Sequence, residues 1–308
     1  MASDPPSSSS GLAALEAAVA RDFQRLNYPP ANWVPATAGP GGQPLLDVLV
    51  IGGGMCGQTA AFGLLREGVR NIRVIDRMPL GEEGPWGTFA RMPTLRSGKQ
   101  VNGPDLGMAS LTFRAWYEAQ HGEQGWADLY KIDRLDWLAY LLWVRRVTGV
   151  AVDNGVEMTA LQPHAGCVQA TLREVASGAE QTVHARKVIL ALGRDGSGDA
   201  RRPLYPSYDA EAARGRVWHS SDPIDFGALR GRSVAILGAG ASAFDNAGTA
   251  LEAGAASVTM FARRPHLPQV NKSKWTVFSG FMNGYAALPD AWRWRFYTYI
   301  LQEQAPPP

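Results

Sequence analysis

The chain has 308 residues, 45% of them hydrophobic and 19% charged, with a net charge of +2, which suits a globular protein of up to two domains with a sizeable core. No basic run interleaved with aromatics points to nucleic acid, and the longest apolar run, Leu135–Val144, falls short of the ~20 residues of a membrane span. The two cysteines, Cys56 and Cys167, lack CxxC spacing, and the histidines are scattered, which excludes a disulfide framework and a structural zinc site and leaves no candidate metal site; cysteine usage predicts a cytoplasmic protein.

The opening MASDPPSSSS lacks the basic-then-apolar pattern of a signal peptide and reads as a tail. Leu12, Leu15, Val19, Phe23 and Leu26 recur at helical spacing, which predicts an amphipathic helix over Gly11–Leu26, stopped by Pro29-Pro30. A strap on the following domain and a membrane or partner helix are its two readings, the strap being the simpler. Pro35–Pro44 reads as a linker, so residues 1–44 form a tail and strap.

Next comes the pattern that organises the chain. An apolar run, Val48–Ile51, enters Gly52-Gly53-Gly54-Met55-Cys56-Gly57; a small-residue helix follows, then a strand, Ile72–Ile75, that ends at Asp76 with Arg77 behind it. Strand, G-x-G-x-x-G turn, helix, strand and acid stand in the order of a dinucleotide site, about 20 residues from glycines to acid. Gly52 allows a tight turn, Gly54 lets backbone approach a pyrophosphate, and Gly57 lets helix pack on strand. Met55 opens the helix whose N-terminal N–H groups face the phosphates. Asp76 would accept hydrogen bonds from a ribose. The alternative is an α/β turn without ligand. Cys56, inside the turn, reads as a small buried filler.

Gly81–Gly107, dense in Gly, Pro and Arg, is too long for a plain connector. Leu111–Ala119 and Arg134–Val147 read as helices, the second with Arg145 and Arg146 in its last turn and Gly149 as its stop signal. Trp116, Trp126, Trp137 and Trp143 read as core. Gly155–Arg186 reads as a β-meander, and Lys187–Leu192 as a separate buried strand that delivers Gly193 to the carboxyl end of the sheet, where open α/β sheets bind ligands. Residues 45–200 thus form a first domain and residues 201–308 a second. There, Ser233–Leu237 enters Gly238-Ala239-Gly240-Ala241-Ser242-Ala243, a G-x-G-x-x-A turn, followed by a helix over Phe244–Ala253 and a strand over Ser257–Phe261. That strand ends in Arg263-Arg264 instead of an acid, and arginine suits a ribose 2′-phosphate. The fold class expected is α/β: two Rossmann-like dinucleotide-binding units (the FAD/NAD(P)-binding fold) with a β-meander inserted in the first. The acid-ended unit suits FAD and the arginine-ended unit NADPH.

From Leu46 to Trp294 the chain resembles the class B flavin-dependent monooxygenases, the group of flavin-containing monooxygenases, Baeyer–Villiger enzymes and siderophore amine N-hydroxylases. The resemblance rests on the paired turns and on Gly215-Arg216-Val217-Trp218-His219-Ser220, similar to the group's F-x-G-x-x-x-H-S linker without its leading phenylalanine. Ala191-Leu192-Gly193 is similar to its A-T-G strand end, and Gly84-Pro85-Trp86 to the segment beneath the flavin. Arg91-Met92-Pro93-Thr94-Leu95, Leu111-Thr112-Phe113 and Arg134–Trp143 resemble blocks of the N-hydroxylase branch, and Gln269-Val270-Asn271-Lys272 its substrate-contacting segment. The resemblance implies a monooxygenase in which NADPH reduces FAD and one oxygen of O2 passes from a flavin hydroperoxide to a small nucleophilic substrate, an amine, sulfide or ketone. The alternatives are an NADPH-dependent flavin reductase or oxidase without oxygen transfer, or a non-catalytic dinucleotide-binding fragment. Gly52, Gly54, Gly57 and Asp76 would hold FAD, with Trp86 and Arg91 near it; Gly238, Gly240, Ser242, Arg263 and Arg264 would hold NADPH. Lys99, His219 and Asn271 are the candidates near the reacting groups, although a solvated lysine and a structural histidine are the plainer readings. The group closes its FAD domain with a C-terminal return segment for which little chain follows Arg264, so the expectation is a truncated or unusually small member.

Overall fold

A computed structural model describes residues 8–193, 196, 198, 202, 205–263, 267 and 279–304. The chain divides into two units, Met1–Thr88 with Gly98–Pro203, and Phe89–Ser97 with Leu204–Pro308. The segment Phe89–Ser97 groups with the second unit.

Helix α1 (Ser8–Arg25) belongs to the first unit. Its Val19 is buried, Phe23 meets Phe62 with ring centroids 6.1 Å apart, and Asp22 accepts a hydrogen bond of 2.6 Å from the Ser110 hydroxyl. Glu16 takes Arg146 through both oxygens, at 2.5 and 3.3 Å. The hydrogen bond from Arg146 holds the Glu16 carboxyl below the ordinary glutamate range, against an opposing desolvation cost. A depressed carboxylate stabilises the fold above its unfolded pKa and loses that contribution as pH falls through the folded value. Since the pair is largely exposed, Glu16→Gln should cost below ~1 kcal/mol at pH 7. Thermal melts of the two proteins should converge on acidification below about pH 4.

The first unit is built on a six-stranded sheet in the order β3-β2-β1-β6-β5-β4. Strands β1 (Leu45–Ile51), β2 (Ile72–Asp76), β3 (Asp153–Asn154) and β6 (Glu180–Leu190) run parallel, while β4 (Val156–His164), β5 (Cys167–Glu174) and the first half of β6 form the antiparallel meander. Val48, Leu49, Val50 and Ile51 are all buried, so β1 is covered on both faces as a central parallel strand is. Leu49, Ile51 and Ile75 join Ala170, Leu172 and Ala185 of the meander in one core cluster. Lys187–Leu192 is not a separate buried strand. Its first residues continue β6 without a break, because Val168–Arg173 pair with Glu180–Ala185 and β1 with His184–Leu190, the two pairings overlapping at His184 and Ala185. Leu190 at its end is 55% exposed.

Helix α2 (Met55–Arg66) follows β1. Helix α3 (Phe113–Asp128) starts at Thr112, whose hydroxyl accepts from the Ala115 N–H, and is interrupted at Gly122, φ 73°. Helix α4 (Arg134–Thr148) is capped by the Asp133 carboxylate and ends at Gly149 in the left-handed region, φ 69°. Trp116, Trp126, Trp137 and Trp143 are buried among these helices, and Tyr140 donates to the Leu111 carbonyl at 2.8 Å. Among the described residues no helix is long and apolar enough to cross a membrane.

The second unit holds α5 (Tyr208–Ala213), β7 (Ser233–Leu237), α6 (Ala241–Glu252), β8 (Ser257–Phe261), α7 (Ser279–Tyr285) and α8 (Asp290–Gln304). Strands β7 and β8 are parallel, with Ser233 opposite Ser257 and Leu237 opposite Phe261. One face of the pair carries the half-buried Val234, Ile236, Val258 and Met260. On the other face Leu237 and Phe261 are more than half exposed. Helices α7 and α8 were not read from the sequence; Phe281 meets Phe296 at 4.9 Å between centroids.

Candidate functional site

The first glycine turn is a hydrogen-bonded elbow at the carboxyl end of β1. Gly52 donates to the Ile75 carbonyl at 2.8 Å and holds φ at +105°, and a Cβ there would lie 2.3 Å from the Ala191 carbonyl oxygen. Gly57 lets α2 sit on the turn: a Cβ at this position would lie 1.8 Å from the Gly52 oxygen. Gly53, the glycine to which the motif assigns no role, is constrained less tightly, by a side chain: its Cβ would stand 2.6 Å from a Val152 methyl.

Gly54 differs from these three. Its backbone is ordinary extended chain, φ −69° and ψ −171°, as the N-cap of α2, with no side chain capping that end. A Cβ on Gly54 would meet only the Glu83 carbonyl oxygen, at 4.0 Å. The opening lies over the first turn of α2, where the initial N–H groups of a helix lack intrahelical acceptors and the dipole favours an anion. A cradle that one methyl would fill, lined by backbone N–H groups of Met55, Cys56 and Gly57, fits a dinucleotide pyrophosphate.

Asp76 ends β2 beside this cradle. Its Oδ2 accepts from the Gly53 N–H at 2.7 Å and its Oδ1 from the Met78 N–H at 2.8 Å. The acid thus fixes the turn, and each carboxylate oxygen keeps a second acceptor site. Arg77 is exposed beside it. Gln58, buried, donates to the Gly53 carbonyl at 2.9 Å, a support the motif does not contain. Cys56 is exposed on the first turn of α2, not buried as expected, because the small filler positions are taken by Gly57 and Ala61. Gly193, φ +60°, lies just beyond the end of β6 with open space where a Cβ would point. Trp86 meets Trp137 edge-on, 6.4 Å between centroids, and its carbonyl accepts from Arg134.

The second turn repeats the construction. Gly238, φ +130°, donates to the Phe261 carbonyl at 2.9 Å, the counterpart of the bond from Gly52 to Ile75. Gly240 is the extended N-cap of α6, and nothing lies within 4 Å of where its Cβ would be. Ala241 and Ser242 are exposed on the first turn of α6, and Arg263 is exposed past the end of β8. Arg264 and Asn271 lie outside the described residues.

The remaining candidates are engaged locally. Arg91 belongs to the second unit, donating to the Asp222 carbonyl at 3.2 Å and lying over the Phe226 ring at 5.5 Å. Arg96 of the same segment pairs with Asp245 of α6. Lys99 donates to the Trp126 and Ala127 carbonyls, at 2.5 and 3.2 Å, and so closes the C-terminal end of α3, where a cation is favoured. His219 Nδ1 lies 2.7 Å from the Ser221 hydroxyl and 3.2 Å from the Ser221 N–H, and the backbone N–H of His219 donates to the Asp222 carboxylate at 2.7 Å. No group of three or more metal-ligating side chains occurs among the described residues.

Comparison with known proteins gives matches of both sequence and fold. The family described as pyridine nucleotide-disulphide oxidoreductase matches residues 46–278. The FAD-dependent urate hydroxylase of Xanthomonas campestris pv. campestris is 44% identical over 296 residues, covering 96% of this chain and 61% of the relative, so the chain spans about three fifths of that protein's length. The ornithine hydroxylase of Pseudomonas aeruginosa superposes with a TM-score of 0.65 at 19% identity, over 84% of this chain and 64% of its own. The cadaverine monooxygenase of Erwinia amylovora, solved with FAD, superposes with a TM-score of 0.62 at 16% identity, over 84% and 61%. These two likenesses speak for the fold, and they fall within the group that the paired turns resemble.

Proposed function

Because the chain belongs to the pyridine nucleotide-disulphide oxidoreductase family, we propose that its first unit binds FAD, its second binds NADPH, and that it serves an NADPH-driven monooxygenase acting on a small substrate. The observation that carries this reading is the pair of open N-cap glycines, Gly54 and Gly240, each at the start of a helix behind a bonded glycine elbow. Reduced FAD supplies the reaction with O2 when bound; the protein binds, orients and excludes water. Met55, Cys56 and Gly57 would offer N–H groups to the FAD pyrophosphate, Asp76 would receive the ribose hydroxyls, and Arg263 would face the 2′-phosphate of NADPH. Dithiol chemistry, which the family name mentions, lacks its cysteines here: Cys56 is on α2 and Cys167 on β5, both free. The 44% identical relative is named for urate, which makes a small nitrogen heterocycle the first substrate to test, ahead of the amines, sulfides and ketones suggested by the wider group.

The purified chain titrated with FAD should quench flavin fluorescence to saturation, and NADPH should then bleach the bound flavin. Under air, NADPH use should rise with urate while peroxide per NADPH falls. Peroxide that matches NADPH with and without every substrate tried would replace oxygen transfer by simple oxidase action. A chain that never takes up FAD would end the reading.

A further inference from the structure

The segment behind Asp76 is held by a buried polar cluster that the sequence did not reveal. Glu83 keeps only 2% of its side chain exposed and Arg145, in the last turn of α4, 12%. Glu83 Oε1 accepts from Arg145 Nη1 at 2.6 Å and from Asn154 Nδ2 at 2.6 Å, and Oε2 accepts from the Gly81 N–H at 2.7 Å. Arg145 Nη2 reaches the Val152 carbonyl at 3.2 Å and Asn154 Oδ1 at 3.0 Å. Asn154 Nδ2 also donates to the Met78 carbonyl at 2.8 Å.

Three of the residues so held stand one step from the first cradle. Asn154 stands opposite Asp76 in the β2–β3 pairing. Val152, whose carbonyl Arg145 holds, packs its methyls where Gly53 has no room for a Cβ. The Glu83 carbonyl is the one atom that a Cβ on Gly54 would meet. A buried ion pair is weak evidence of stabilisation, since apolar residues of similar volume often serve as well, and its better-attested use is to fix geometry. We infer that Glu83, Arg145 and Asn154 are positioning residues that hold the Met78–Gly84 segment as a wall of the FAD cradle, and so set FAD affinity without touching the cofactor. The inference rests on the reading of the first unit as the FAD site.

Its test separates positioning from plain structure. In the double variant Glu83→Met/Arg145→Met the pair is replaced by apolar groups while the Gly81 N–H, the Val152 carbonyl and Asn154 lose a partner, so the ligand-free chain should stay folded and melt below the wild type. Its FAD dissociation constant, measured by fluorescence quenching well below both melting transitions, should rise about tenfold or more. Asn154→Ala, which keeps the ion pair but frees Met78, should weaken FAD severalfold and stands in if the double variant does not fold. Leu172→Ala, in the meander core, should lower the melting temperature and leave FAD affinity within twofold. The inference is overturned if the Glu83, Arg145 and Asn154 variants also stay within twofold of a wild type that binds FAD. If the wild type itself binds no FAD, the reading of the first unit falls, and this inference with it.

Discussion

Gly52→Ala is expected to destabilise the first unit severely in the absence of any ligand. Gly52 holds φ at +105°, a region L-residues rarely adopt, and forcing one there costs on the order of 1–3 kcal/mol. The added methyl would also stand 2.3 Å from the Ala191 oxygen and 2.9 Å from its carbonyl carbon. Neither side can yield cheaply: Ala191 donates to the Ile51 carbonyl at 2.8 Å, and Gly52 to Ile75 at 2.8 Å, so the turn is tied to both neighbours of the central strand. Strain and clash together should exceed ~4 kcal/mol, the range reserved for the most damaging single changes. A domain whose whole stability is about 5–15 kcal/mol does not carry that loss safely. Gly238→Ala in the second unit should cost less, because its methyl would meet only the Ala243 side chain at 3.9 Å, leaving backbone strain alone. Thermal unfolding followed by circular dichroism, without cofactor, ranks the two. A Gly52→Ala chain that melts like the wild type would mean that the elbow is not built as described.

What the sequence made legible is what adjacent residues specify. The glycine spacing placed both elbows, and the runs that flank the second, Ser233–Leu237 and Ser257–Phe261, gave strands with the observed bounds. Gly149 ends α4 through capping chemistry that acts within a turn, whereas the Asp133 cap at its other end was not read. Partners distant in the chain were not legible. Glu83 finds Arg145 62 residues away and Asn154 71 residues away, so the loop carboxylate carried no signal and Arg145 read only as a cation at a helix end. Lys99 looked like a free cation and instead ends a helix whose carbonyls come from 27 and 28 residues on. The apolar run Lys187–Leu192 suggested a buried strand of its own because no residue marks the point at which β6 passes from the meander partner to β1 alone. Helix α8 presents aromatic residues on several sides, with Trp292, Trp294, Tyr297 and Tyr299 exposed, so no single apolar stripe announced it.

Gly54→Ala should have the opposite signature from Gly52→Ala: an intact fold and a lost ligand. Its φ of −69° and ψ of −171° suit any residue, and the methyl would meet only the Glu83 oxygen at 4.0 Å, an ordinary contact. The melting temperature of the ligand-free chain should therefore stay within a few degrees of the wild type. A pyrophosphate, however, must come within ~3 Å of the N–H groups that open α2. The methyl would fill the space through which it approaches. Losing one or two hydrogen bonds to a charged group costs about 1.5–3 kcal/mol each, so FAD affinity should fall by roughly 100-fold or more. Gly240→Ala, with nothing within 4 Å of its methyl, should do the same to NADPH and leave FAD binding alone. Separate titrations of the two variants with FAD and with NADPH therefore assign each cofactor to its unit. If Gly54→Ala weakens NADPH and Gly240→Ala weakens FAD, the assignment is reversed; if Gly54→Ala binds FAD as the wild type does, the phosphates do not lie over α2.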